Sequence, residues 1–181
     1  MTSKMLLKKR GYFFILDAFL GLSVLLIGVI LVTSSYVNFP QPSQVGLLAN
    51  DLTNFLSTKK IKDLNNPYAG IGGELWNNGT ITDADNSLLQ QIGEFYAANK
   101  LDVAERFIQN VSEGVTPPEF LYEVWIDGII LYPITPSAEH TKSKESSELL
   151  LTSKVITFGI MNKTTSNLWG PYKVEVFVWE K

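Results

Sequence analysis

The sequence predicts an α+β protein: an N-terminal transmembrane helix, a helical segment, and a C-terminal, mostly antiparallel four-stranded sheet. Three observations carry that expectation. An apolar run extends from Tyr12 to Val32 with Asp17 as its only charge. Between residues 43 and 111 apolar residues recur at intervals of three and four, the period of a helix face. After Glu119 the period changes to two, around the hairpin signal Asp127-Gly128. Helices gathered before strands in this way are the order of an α+β fold.

The apolar run is the first element. A helix of its length reaches roughly 32 Å, close to the ~30 Å hydrocarbon core of a bilayer. Lys4, Lys8, Lys9 and Arg10 precede it, and no basic residue follows until Lys59. The bias of basic residues toward the cytoplasm therefore places the N-terminus inside and the chain beyond about Ser34 outside, in a single pass. Cleavage at the far end is not expected, because Val-Thr-Ser-Ser-Tyr-Val is a poor small-x-small site. The chain thus divides into a basic cytoplasmic leader (1–11), a membrane helix (12–37), a proline-containing kink or linker (38–42) and an extracytoplasmic globular domain (43–181).

Within the membrane helix, Ala18, Gly21 and Gly28 fall near one face. Small residues let helices approach closely in lipid, although glycine is also simply common in such helices. Asp17 lies about 7.5 Å along the helix from Tyr12. A carboxylate there costs up to about 2.5–3.5 kcal/mol at the bilayer centre, and less near the interface. Pro40 and Pro42 each remove a helical donor and disfavour helix in the preceding residue, so the helix should kink or stop there.

In the outer domain, Val45, Leu48, Leu52, Phe55 and Leu56 predict a helix over 43–64, with Lys59, Lys60 and Lys62 in its last turns. Residues 67–80, with four glycines, Tyr68 and Trp76, read as a packed surface loop. Its glycines match no nucleotide or phosphate fingerprint. Thr82 is the expected N-cap of a helix from Asp83 to about Ala98. Asp83, Asp85, Ser87 and Glu94 also fall on an EF-hand frame, but its sixth position, which needs glycine, is Leu88, so no calcium site is expected. A further helix covers 101–111, and Gly114 and Pro117-Pro118 close the helical half.

Strands are expected over 119–126 and 129–134, the second an edge strand closed by Pro133 and Pro136. Residues 137–147 are polar, hold His140, and read as a mobile loop. A long strand over 149–160, a turn-rich connection over 161–170 and a strand over 172–179 complete the sheet. In the last, Val174, Val176 and Val178 alternate with Glu175, Phe177 and Trp179.

The formal charge is −3, and loss of residues 1–11 with their four basic groups leaves 11 basic against 18 acidic residues, or −7. An acidic exterior does not fit nucleic-acid binding. There is no cysteine, hence no disulfide, thiolate metal site or cysteine nucleophile. A lone histidine with no acid partner at helical or strand spacing singles out no catalytic set, so neither an enzyme nor a cofactor is expected. Asn78-Gly79-Thr80, Asn110-Val111-Ser112 and Asn162-Lys163-Thr164 are candidate glycosylation sites on the outer side.

Lys-Lys-Arg-Gly-Tyr-Phe-Phe-Ile-Leu-Asp-Ala, residues 8–18, resembles the class III signal of type IV prepilins, and archaeal pilin-like proteins more than bacterial ones. The likeness covers about residues 8–32. It implies a membrane prepilin peptidase that cuts between Gly11 and Tyr12, leaving the apolar helix as the new N-terminus. It implies partners too: other copies of the chain, or related pilins, packed through that helix into an extracellular surface filament, whose role is left open between adhesion, secretion, DNA uptake and motility. Bacterial pilins carry Glu at the fifth mature position, whereas here Leu16 stands there and Asp17 is sixth. By the resemblance, Asp17 of one subunit would neutralise the ammonium freed on Tyr12 of another. The alternative is an uncleaved, signal-anchored, monomeric extracellular binding module.

Overall fold

The computed structural model describes residues 3–37, 44–162 and 167–181, with side chains described over 13–32, 44–161 and 167–181. The expected kink at 38–42 lies outside the described residues. The chain forms two units, Met1–Gln41 and Pro42–Lys181.

The first unit is one helix, α1 (Ser3–Val37). From Phe13 to Val32 its mean hydropathy is 2.7, and none of that stretch is buried. A helix apolar on nearly every side has no polar face to turn toward water, and by length and composition it is compatible with a membrane anchor or a signal segment. Ser23 hides its hydroxyl by donating to the Phe19 carbonyl at 2.8 Å.

The second unit is an α+β domain. Its elements are α2 (Gln44–Thr58), a 3-10 turn (Ile61–Asp63), α3 (Glu74–Asn77), α4 (Leu88–Ala97), α5 (Leu101–Ser112), β1 (Phe120–Ile126), β2 (Ile129–Tyr132), α6 (Ala138–Ser146), β3 (Leu150–Asn162) and β4 (Asn167–Glu180). The four strands form one antiparallel sheet in the order β2-β1-β4-β3. The β1–β2 turn uses Asp127 and Gly128 at φ 47° and 84°, the left-handed pair a two-residue hairpin demands. Asp127 also accepts the backbone N–H of Lys173 at 2.8 Å, tying the turn to β4.

Alternation along the strands gives the sheet two faces. Val124, Ile126, Val174, Val176 and Val178 face the helices and are fully buried. Opposite them lie Leu52 and Leu56 of α2, Leu88, Ile92 and Phe95 of α4, and Ala104, Phe107 and Ile108 of α5. Phe95 and Phe107 meet edge to face at 5.5 Å. Where α4 crosses β3, Gly93 and Gly159 leave room for the Trp169 ring; a Cβ at Gly93 would stand 2.4 Å from it.

Several elements differ from expectation. Helix α2 ends at Thr58 rather than near residue 64, and the lysines expected in its last turns lie beyond it. The Lys60 backbone bridges to Ser87, and Lys62 Nζ reaches Asp85 at 2.8 Å. Those contacts draw 59–63 away from the helix axis. Helix α4 starts at Leu88, not Asp83: Ser87 and Gln90 form a capping box that satisfies the first donors, so Thr82 is not the cap. The loop over 67–80 contains α3 and buries Ala69 and Leu75. Residues 137–147 are not a loop but mostly α6, capped by Ser137, whose hydroxyl accepts the His140 N–H. The connection expected over 161–170 is largely strand, since β3 runs to Asn162 and β4 starts at Asn167.

Candidate functional site

On α1 the proposed processing residues Gly11 and Tyr12 fall within the helix, and their side chains lie outside the described residues. Asp17, Ala18, Gly21 and Gly28 are all exposed. Nothing approaches within 4 Å of a Cβ placed at Gly21 or Gly28, so the backbone is open to a neighbouring helix at both. Of the sequons, Asn78 is exposed in a turn and accepts the Thr80 N–H at 2.9 Å. Asn110 sits inside α5, its amide donating to the Arg106 carbonyl at 2.9 Å, with Ser112 buried. That conformation is helical rather than the surface loop an acceptor needs. The side chain of Asn162 and the Lys163-Thr164 pair lie outside the described residues.

The outer face of the sheet, away from α2, α4 and α5, holds what the sequence did not disclose. Leu121, Glu123 and Trp125 of β1 lie there beside Glu175, Phe177 and Trp179 of β4. Glu123, with its side chain only 3% exposed, accepts Trp125 Nε1–H at 2.7 Å and pairs with Lys144 Nζ at 2.6 Å. The Lys144 ammonium stands 5.2, 5.3 and 5.6 Å from the ring centres of Trp125, Phe177 and Trp179. His140 meets Trp179 edge to face at 4.9 Å. Its Nε2 lies 3.4 Å from Glu123 Oε1, near enough to feel the charge but not aligned for a hydrogen bond. Trp179 Nε1–H donates to Ser143 at 3.3 Å.

Lys144 and His140 are one turn apart on α6, and with Ser143 they fasten that polar helix over the aromatic rings. A buried carboxylate is tolerated here because a cation and an indole N–H answer it. The signal was present in the sequence as His140 and Lys144 at i,i+4 behind a Ser137 cap. Nothing along the chain pointed to Glu123 as their partner, because that pairing joins residues 17 and 21 apart.

Next along the outer face, Glu175 lies between Lys154 at 2.8 Å and Lys173 at 3.1 Å, and their hydrogen bonds hold its carboxyl below the usual range. Beyond that rung come Ile156, Phe158 and Ile160 of β3 and Leu168 of β4, exposed by 65, 66, 49 and 79%.

On another side of the domain, a cleft of about 470 Å³ lies between the end of α5 and β1, lined by Ser112, Thr116, Tyr122 and Tyr132 among others. The two tyrosine rings stack on each other at 4.9 Å, and burial pushes the Tyr122 phenol up. Among the described residues, no group of three or more histidine or acidic side chains could hold a metal ion. No family model, curated protein or solved structure matches the chain.

Proposed function

We propose that this chain is a structural subunit of an archaeal type IV pilus-like surface filament (a pilin, minor pilin or pseudopilin) and not an enzyme. The observation that supports this reading most is α1: an unbroken apolar helix whose every flank needs a partner, joined to a domain that packs its own core. Lipid supplies that partner before assembly, and the helices of neighbouring copies supply it afterwards. Ala18, Gly21 and Gly28 form the face of closest approach. The Lys8-Lys9-Arg10-Gly11 leader supports cleavage by a prepilin peptidase on the cytoplasmic side. Cleavage frees an ammonium on Tyr12, and Asp17 of an adjacent subunit neutralises it as both leave lipid. Either charge buried alone would be costly, so the two enter as a pair. Asn78 is the sequon best placed to carry a glycan.

The intact mass of the native protein tests the reading. Loss of residues 1–11, together with a block of that loss in Gly11→Val, is expected. Asp17→Ala should insert and be processed normally yet enter filaments poorly. A native chain that keeps its N-terminus would instead establish the alternative, a monomeric anchored module at the cell surface.

A further inference from the structure

Strand β3 is one of the two edges of the sheet, β2 being the other. Among the described residues it pairs with β4 alone, so its other edge presents unpaired backbone over a length of about 43 Å at roughly 3.3 Å per residue. Natural sheets protect such an edge with charge, proline, a short strand, a bulge or a cover. Strand β3 shifts register against β4 between Thr157 and Gly159, where the extra residue is on β4, and between Ile160 and Asn162, where it is on β3. Here the 13 residues include no proline and one charge, Lys154, and Glu175 of the same chain already neutralises it. Helix α6 lies over the aromatic end of the outer face, and Ile156, Phe158, Ile160 and Leu168 remain bare. Clustered apolar exposure of this kind marks an interaction surface.

The position of the patch selects its occupant. Three of its four residues lie on the edge strand itself, so whatever covers them also meets open N–H and C=O groups. Lipid cannot satisfy those groups, whereas another strand can. The pattern around Phe158 is symmetric, with Ile156 two residues before it and Ile160 two after, on one face. An antiparallel copy centred on Phe158 therefore sets Phe158 against Phe158 and Ile156 against Ile160. No like charges meet, because Lys154 is the one charge on β3 and lies outside the paired stretch 156–160. Such a pairing is isologous and closes on itself.

We infer that two copies of this chain join edge to edge through β3, antiparallel and centred on Phe158, making one eight-stranded sheet with a shared apolar patch. This contact is separate from any made by α1, and it requires neither cleavage after Gly11 nor a filament. Its failure and the failure of the filament reading are therefore distinguishable.

The chain has no cysteine, so single-cysteine variants of the full-length protein in detergent micelles report the register directly. In the proposed pairing, Cα atoms opposite each other stand about 4.5–5.5 Å apart. Phe158→Cys is expected to oxidise to a disulfide-linked dimer. A mixture of Ile156→Cys and Ile160→Cys should cross-link to each other more than either does to itself. Ile71→Cys, exposed on a different part of the domain, should remain monomeric. Phe158→Asp should reduce the dimer by about tenfold or more without moving the unfolding midpoint measured at dilutions where both proteins are monomeric. Equal cross-linking at all four positions, or none, would overturn the proposal, since association through α1 alone gives no register at β3. It would also fail if Phe158→Asp leaves the dimer intact. A third overturning result is a monomeric chain whose Phe158→Cys, carrying an environment-sensitive dye, is buried in phosphatidylcholine vesicles.

Discussion

The two ends of the outer sheet face are built from similar apolar residues and meet different fates. At one end Trp125, Phe177 and Trp179 lie under α6; at the other Ile156, Phe158, Ile160 and Leu168 face outward. Hydrophobicity does not distinguish them. The difference is Glu123: a carboxylate among the rings gives Lys144 and His140 something to reach, and so draws a helix with no buried residue of its own across that end. The bare end has no such anchor, because its nearest carboxylate, Glu175, is already held by Lys154 and Lys173. The covered end is completed within the chain, and the bare end is left for another molecule.

The largest expected effect comes from cutting the anchor. Lys144→Met leaves the Glu123 carboxylate buried without its cation, a change that costs about 3–5 kcal/mol when such a pair is broken on one side. Against a total stability of roughly 5–15 kcal/mol for a domain, urea unfolding of the full chain in detergent should show this plainly. Glu123→Leu combined with Lys144→Met should recover most of the loss, since an apolar pair leaves no orphaned charge. A double variant no more stable than Lys144→Met alone would mean that α6 is held by something other than the pair.

A smaller loss is expected beneath the bare end, where the helices support it from the other side. Gly93→Val drives a side chain into the Trp169 ring, and overpacking of this kind costs about 1–3 kcal/mol. Thermal unfolding should fall by several degrees, with the Trp169 near-UV signal changing first. If stability is unaffected, the bare end is not braced by α4 in this way.

The smallest effect concerns the boundary rung. The folded carboxyl of Glu175 titrates below its unfolded value, so its contribution is complete above the unfolded carboxylate range. It is lost as pH falls through the folded pKa. Both lysines are more than half exposed, which limits the contribution to a few tenths to about 1 kcal/mol. Glu175→Gln should therefore narrow the gap in stability between neutral and acid pH, measured as urea midpoints at each. An unchanged gap would assign the acid sensitivity to other carboxylates.

Much of the fold was legible because local rules produce it. The change of period after residue 119, the Asp127-Gly128 turn and the inward valines of β4 all follow from alternation and turn chemistry. The start of α4 was misread because two caps compete there, and Ser87 prevails through its reciprocal bond with Gln90. Helix α6 was missed for a different reason. Its sequence carries no apolar stripe, and the Ser137 cap with His140 and Lys144 at i,i+4 marks a helix without showing what it docks on.

The sequence by itself determined that one segment is apolar on every side, and that the rest can bury a core without cysteine. Those are properties of composition and period, which short-range sterics and the hydrophobic effect translate directly into helix, strand and burial. Only the tertiary structure decided which carboxylate is buried, which lysine answers it, and which apolar residues stay bare. Those outcomes depend on pairs such as Glu123–Lys144, whose members share no local pattern and meet only after the sheet has formed. The energy of such a pair resides in its partner's position, which no stretch of the chain contains alone.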